Sequence, residues 1–591
     1  LRKSSKNVAK LKEANIMCTT LIVTRGASAD GSMIVAHSDD DELGDQRIIY
    51  VPAQDHEQGA KRQVFGEHYR YPRIVTYERG PNYEPATHHV RESPNPVPDL
   101  TKPIGYIPQV KHTYAYFDSN YGIMNEHNLM MGECTNGAKY QPDYVTVEEA
   151  EKTGRHVRLF YSQELSRFAL ERCKKAREAI ELMGKVIEKY GLYSTGETLL
   201  VADEDEAWVF EMCALPDEQY HSAWVAQQVP DGEIFVAANE FRIRQIEDNE
   251  KDITIYSELL KPGLEKLGWW SPEDGPLDWL SSVSSGEYNH PYYSLRRVWR
   301  VLDRVNPDLA LSPWVTKGFE NIKEGGYATD YPFSIKPKFP LSLQDVFALY
   351  RDHYEGTQFD MTQGIAAGPY GDPSRFIGPY DGNQNNITEN QHMYGAWERT
   401  ISVFYQGYTY VNQLRPRKPE IPEATRGLCW FGPDTAYTTC FVPFAAQALE
   451  LPERYQTGDP QIFDRYSAWW AFDFVANWAR LNYQRMTRVD VLPLQQKIET
   501  REIQAMIHQW DECCQGKSGT EARELLTRLG KENANNVVKC WHDLGYMLIA
   551  RYSDGYCNLP EGEEPQNVGY SSKWLALTNY KEGPTSYEMK P

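Results

Sequence analysis

The sequence predicts an α+β fold, and three stretches carry that prediction. Residues 18–40, CTTLIVTRGASADGSMIVAHSDD, hold two β-prone runs, Cys18 to Val23 and Ser32 to Ala36. They flank a turn punctuated by Ala29-Asp30-Gly31, which is the pattern of a hairpin. Residues 157–190 read as two amphipathic helices and lead into two further strand-like runs, Glu197 to Asp203 and Ala207 to Met212. Residues 497–552 are amphipathic and helical again. Strand pairs and helices alternating in this way are compatible with sheets packed against helices.

The hairpin also places chemistry. Its return strand ends in His37-Ser38-Asp39-Asp40 and carries that polar cluster back towards Cys18 at the head of the first strand. Residues 41–120 are rich in Tyr, Pro, His and charge and read as long loops with short strands such as Ile74 to Tyr77. Asp55, His56, His68, His88, His89 and His112 lie in or near them without HxxH or HExxH spacing, so surface histidines are favoured over a metal site. Gly122 to Asn125 and Leu129 to Cys134 form the next strand pair, with Glu133, Cys134 and Thr135 at its polar end. The helices of 157–190 bury Val157, Phe160, Leu165 and Phe168, then Ala176, Ile180, Met183 and Ile187, and Gly191 suits a C-cap.

After these come strands at Ala223 to Val229 and Ile234 to Asn239, joined by a Pro-Asp-Gly turn. His290 to Pro307 starts a helix with Ser294 as its N-cap, and Ser342 with Asp345 makes a capping-box pattern for another. Thr400 to Leu414 and Gly427 to Val442 read as core strands of a second sheet, and Tyr466 to Asn482 as a buried helix. The tail after Gly555 is irregular.

Composition narrows the function classes. A chain of 591 residues, 41% of them hydrophobic, can bury a substantial core as several domains or as one large domain with an appendage. A net charge of −21 argues against a general nucleic-acid or anionic-membrane binder. No run of 18 apolar residues exists to span a membrane. The ten cysteines are scattered and contain no CxxC pair, so reduced thiols and a cytoplasmic location are the default. A periplasmic or secreted location is the alternative if a signal peptide was removed upstream of Leu1. Residues 1–17, LRKSSKNVAKLKEANIM, are basic and polar and lack the apolar core of a signal peptide. Either Met17 is the initiator and the preceding residues are extra, or the segment is a pro-peptide.

Cys-Thr-Thr at a strand head followed by Ala-Ser-Ala-Asp-Gly-Ser resembles the start of peptidase family C69, the cysteine dipeptidases. These are N-terminal-nucleophile (Ntn) hydrolases related to penicillin V acylase and bile salt hydrolase. The stretches YGIMNEHNLMMGECTN, ETLLVADEDEAWVFEM, AANEFRI, HPYYSLRRVWRVLDRVNP and RDHYEGT…GPYGDP resemble the family in the same order, over roughly residues 18–555. The resemblance implies a four-layer αββα sandwich, with a catalytic domain over 18–490 and a C-terminal helical region and tail over 491–591.

It also implies roles. Cys18 becomes the first residue of the mature chain; its thiol is the nucleophile and its α-amino group the base. An α-amino group has an ordinary pKa of about 7.7–8.0, close to ideal for a base at neutral pH. Asp40 matches the carboxylate that hydrogen-bonds this amine, and Asn239 the amide that donates to the oxyanion. Arg296 is the nearest match to the arginine beside the nucleophile, leaving Arg297 and Arg300 for surface carboxylates. Thr135 and Glu133 occupy the strand end that helps form the oxyanion site. His37 stands where relatives carry an arginine, as a neutral or pH-sensitive donor. A Cys18-His353-Asp352 triad is disfavoured because the amine already supplies a base.

No cofactor or metal is expected. The expected partner is a small peptide substrate, with no nucleic acid and no membrane, and a homo-oligomer stays open. Two rival readings stand beside the dipeptidase: an acylase on conjugated bile salts or N-acyl amino acids, and a non-catalytic protein that never exposes Cys18.

Overall fold

The computed structural model describes residues 17–41, 46–65, 103–143, 145, 147–216, 221–246, 252–286, 293–314, 331–375, 399–458, 460, 463–559 and 562–579. Residues 1–16, the run Ile74 to Tyr77, His68, His88, His89 and residues 290–292 lie outside them.

The hairpin forms as the alternation predicts. Strand β1 (Met17–Val23) pairs antiparallel with β2 (Met33–Asp40). In the turn, Asp30 accepts from the backbone and hydroxyl of Ser32, both at 2.9 Å, and Gly31 takes φ +82°. The register sets Cys18 opposite Asp39 and Thr20 opposite His37. Because side chains alternate along a strand, Cys18, Thr20, His37 and Asp39 share one face.

The chain then passes through β3 (Ile49–Val51), β4 (Tyr116–Asp118), β5 (Gly122–Asn125), β6 (Met130–Asn136), β7 (Gly196–Ala202), β8 (Ala207–Ala214), β9 (Ser222–Gln228), β10 (Ile234–Ala237), β11 (Thr254–Tyr256), β12 (Ser334–Ile335), β13 (Tyr408–Leu414), β14 (Gly427–Pro433) and β15 (Val442–Ala445). A seven-stranded sheet runs β12-β10-β1-β2-β13-β14-β15, and an eight-stranded sheet runs β11-β9-β8-β7-β6-β5-β4-β3. Strands β13 and β14, expected in a second sheet, thus extend the sheet that carries Cys18: β13 sets Tyr408 opposite Asp39 and Tyr410 opposite His37. The two sheets face each other, with β1 and β2 against β6 and β7.

The eight-stranded sheet is apolar on both faces, and its two faces belong to different cores. Leu200, Ala202, Val209 and Cys213 join the core of β1 and β2. Leu199, Val201, Phe210 and Met212 join a second core with α1 (Ser162–Leu170) and α2 (Ala176–Tyr190), which ends at Gly191 with φ +78°. Against the seven-stranded sheet pack α3 (Leu295–Val305), α4 (Leu343–Tyr350), α5 (Ala468–Ala479) and the 33-residue α7 (Gly519–Arg551), which follows α6 (Ile503–Cys514). The result is an α+β sandwich of antiparallel sheets with a helical C-terminal region. Helix α4 carries the predicted capping box, Ser342 accepting from the Asp345 N–H at 3.2 Å. Ser294 stands at the N-cap of α3 but makes no cap bond; its hydroxyl donates instead to the Asn239 carbonyl at 3.1 Å. Among the described residues no helix is long and apolar enough to cross a membrane.

Candidate active site

Cys18 is fully buried near the head of β1 and faces the second sheet. Its Sγ lies 3.1 Å from Oε2 of Glu133 on β6. Its N–H donates to Asn239 Oδ1 at 3.3 Å, and its carbonyl accepts from Arg297 Nη1 at 2.7 Å. Burial first, then the charges of Glu133, Asp39 and Asp40, push the thiol well above its ordinary pKa. The resting sulfur is therefore protonated and needs a base at the moment of attack.

Asn239 is held from every side. It follows β10 in the left-handed region, φ +59°, which asparagine tolerates better than most residues and which recurs at functional sites. Oδ1 accepts from Arg297 Nη2 at 2.9 Å, and Nδ2 donates to the Thr135 carbonyl at 2.7 Å. Only one orientation of the amide satisfies both a guanidinium donor and a carbonyl acceptor, so the two ends of the side chain are assigned. Nδ2 keeps a second hydrogen for another acceptor. The Asn239 N–H donates to Cys134 Sγ at 2.9 Å.

The acids divide into three groups. Glu133 and Glu197 are hydrogen-bonded carboxyls on adjacent strands, and burial pushes both up, Glu197 to about 7 and Glu133 well above the carboxylate range. Two buried carboxyls that bond each other share a proton. Thr135 Oγ1 donates to Glu133 Oε1 at 3.0 Å. Asp39 is pushed up by burial and by the charges of Asp41 and Asp40. Asp40 faces away from the thiol and pairs with Arg399.

With the Met17–Cys18 bond intact, Asp40 makes no bond to the Cys18 nitrogen: it stands across from Met17, one place beyond Cys18 in register, while Asn239 takes the Cys18 N–H. The structure corrects the expectation for Arg296. Its guanidinium lies over the rings of Phe359 and Trp314 and donates to the Pro313 carbonyl. The arginine at Cys18 is Arg297, which also reaches Thr19 Oγ1 at 3.1 Å. One position on a helix turns a side chain by about 100°, enough to swap the two. Arg300 does find a carboxylate, binding Asp352 through two bonds of 2.8 Å.

His37 is a neutral imidazole: burial lowers it to about 3, and Nδ1 sits 2.8 Å from the Glu133 carbonyl. It is too weak a base to take a thiol proton. Asp352 also pairs with Arg304, at 3.0 Å, and His353 Nδ1 faces Glu355 at 3.1 Å, so these two do not form the lower part of a triad. Cys18 Sγ, a ring nitrogen of His37 and a carboxylate oxygen of Asp39 lie within 4.8 Å of one another. The S, N and O donors are those of a zinc site in kind, and all three residues are buried. Of the candidate metal residues in the loops, His112 pairs with Asp55 at 2.8 Å and His56 with Thr113 at 2.9 Å.

Sequence reasoning missed Arg297, Arg399, Asp39 and Glu197. Only Asp39 had a local signal, since strict alternation from Cys18 across the hairpin selects it.

A buried strand-head thiol, an amide fixed beside its nitrogen and a guanidinium on its carbonyl thus meet on an α+β sandwich. The chain matches the model of peptidase family C69 over residues 17–491 and belongs to that family. It is similar to a probable dipeptidase of Latilactobacillus sakei, 23% identical over 476 residues, which cover 80% of this chain and 83% of the relative. A probable dipeptidase of Salmonella dublin is 25% identical over 411 residues, 68% of this chain and 76% of the relative. A dipeptidase of Bifidobacterium longum is 23% identical over 444 residues, 72% and 70% respectively.

Proposed function

We propose that the chain is a cysteine dipeptidase of the N-terminal-nucleophile type, with catalysis carried by residues 18–490. The observation that carries this reading is the position of the Cys18 nitrogen. It lies beside its own thiol and on the Asn239 amide, while the nearby imidazole of His37 is too acidic to serve as a base. Once Met17 is removed, that nitrogen is a primary amine. It takes the thiol proton as Sγ attacks the scissile carbonyl. The second hydrogen of Asn239 Nδ2 donates to the oxyanion. Asp40 stands across from Met17 with Oδ1 unpartnered among the described residues, and favours the ammonium formed on attack. The ammonium returns its proton to the leaving amine, a thioester remains on Cys18, and water, deprotonated by the same amine, hydrolyses it. The ten unpaired cysteines fit a reducing, cytoplasmic location.

The test is a substrate panel on chain shown by mass spectrometry to begin at Cys18. Dipeptides should be hydrolysed in preference to N-acyl amino acids and bile-salt conjugates, and Cys18→Ala should abolish turnover with an unchanged circular dichroism spectrum. Preference for the acyl conjugates, or residual activity in Cys18→Ala within about tenfold of wild type, would defeat the reading.

A further inference from the structure

We propose that Asp39 is the anchor for the free α-ammonium group of the substrate's N-terminal residue, and so the residue that confines the enzyme to unblocked peptides. The inference rests on the dipeptidase reading and adds the chemistry by which the site selects its substrate.

Asp39 sits directly across the hairpin from Cys18, on the same face, with a carboxylate oxygen within 4.8 Å of Sγ. It is 1% exposed, and its Oδ1 has no hydrogen-bond partner among the described residues. The side chains of Asn120 and Tyr408 lie at its carboxyl, but a buried carboxyl with one oxygen unmatched still favours an incoming donor, and a cationic one most. The nearby guanidiniums are committed elsewhere: Arg297 to the Cys18 carbonyl and Asn239, Arg399 to Asp40. The other acids are committed too. Glu133 holds the thiol with one oxygen and Thr135 with the other, and shares a proton with Glu197. Among the described residues, Asp39 is thus the carboxyl beside Cys18 that is left to receive a positive group.

A dipeptide brings one at the right distance. Its ammonium nitrogen is two bonds from the carbonyl carbon under attack, about 2.5 Å away. With that carbon about 3–3.5 Å from Sγ, as attack requires, the nitrogen comes within hydrogen-bond reach of an acceptor placed as Asp39 is. Acylation of the nitrogen removes the charge and adds bulk at this point, leaving Asp39 buried without a partner, which selects against the blocked substrate. Burial, and then crowding by Asp41 and Asp40, favours the neutral form of Asp39, and an incoming ammonium offsets both.

The experiment measures kcat/KM for one dipeptide and for its des-amino analogue, in wild type and in Asp39→Asn, with N-terminal Cys18 verified by mass spectrometry. Wild type should prefer the free amine by about a hundredfold or more, and Asp39→Asn should cut that ratio at least tenfold, chiefly through KM for the dipeptide. A loss of equal size on both substrates, or an unchanged ratio, would overturn the anchor while leaving the dipeptidase reading intact. Wild type that fails on dipeptides but cleaves the analogue would overturn both. Should Asp39→Asn not fold, inhibition of wild type by an amino-acid amide and by its des-amino counterpart decides the matter: the ammonium-bearing compound should bind at least tenfold tighter, and equal binding would overturn the anchor.

Discussion

Arg297 and Asn239 hold each other beside Cys18: Nη2 of the guanidinium donates to Oδ1 of the amide at 2.9 Å, while Nη1 donates to the carbonyl of Cys18 at 2.7 Å. The arginine therefore sets the end of the amide that faces the reacting atoms. Arg297→Met should lower kcat by about 10²–10³, the size of an oxyanion-donor loss, because the amide is then free to rotate. Arg296→Lys should instead lower the melting temperature, since its guanidinium packs on Phe359 and Trp314, and should leave kcat within a few-fold. Steady-state kinetics with thermal denaturation on the two variants checks both statements, and the reverse pattern would restore Arg296 to the site.

Asn239→Ala should cost about 10²–10³ in kcat. A change confined to KM would make Asn239 a substrate-binding residue and leave the oxyanion to another donor.

Asp40 and Arg399 form a fully buried ion pair. Asp40→Asn strands the guanidinium, and breaking such a pair from one side typically costs about 3–5 kcal/mol. Urea denaturation should show that loss, and the double variant Asp40→Leu/Arg399→Met should recover most of it. A single variant as stable as wild type would mean that Arg399 is satisfied without Asp40. Activity of Asp40→Asn should also fall severely, because the ammonium formed on attack loses its counter-charge.

Glu211 supplies a pH test of the fold. Its carboxyl lies on β8 under the N–H groups of Arg242 and Ile243, and burial pushes it from 4.5 up to about 7. Between those values the folded chain holds a proton that the unfolded chain has released. Stability from this group is thus full below about 4.5 and declines as pH rises towards 7, by a total on the order of 3 kcal/mol. Glu197 and Asp473, also raised by burial, act in the same sense. Glu211→Gln should flatten the fall in denaturation midpoint between pH 4.5 and 7; an unchanged slope would place Glu211's proton elsewhere.

What the sequence showed depended on how local each signal was. The hairpin was legible because both strands and the Asp-Gly turn lie within 24 residues, Met17 to Asp40, and its register followed from the turn. The strand before Asn239 was legible for the same reason, although it ends at Ala237 and not at Asn239, and Asn239 itself stood out only through the likeness to the family. Arg399 was not, because it meets Asp40 across 359 residues of chain and no local pattern links them. Arg296 and Arg297 adjoin on one helix, where the choice depends on the rotation of α3 against β1. Glu197 was read only as the start of a strand. Its pairing with Glu133 follows from the β6–β7 register, which sets Thr135 opposite Glu197 and leaves Glu133 on the diagonal. Asp39 was passed over for the family's matching position, Asp40, although strand alternation favoured it on the face of the thiol.

If the Cys18 α-amine is the base, activity depends on whether the Met17–Cys18 bond is broken. While that bond is intact the nitrogen is an amide without useful basicity, and in the structure it only donates a hydrogen bond to Asn239. Dipeptide hydrolysis should be compared between chain whose Met17–Cys18 bond is shown intact by mass spectrometry and chain shown to begin at Cys18. The account predicts an inactive first sample and an active second one. Equal activity in the two would contradict it, because the base would then have to be a side chain.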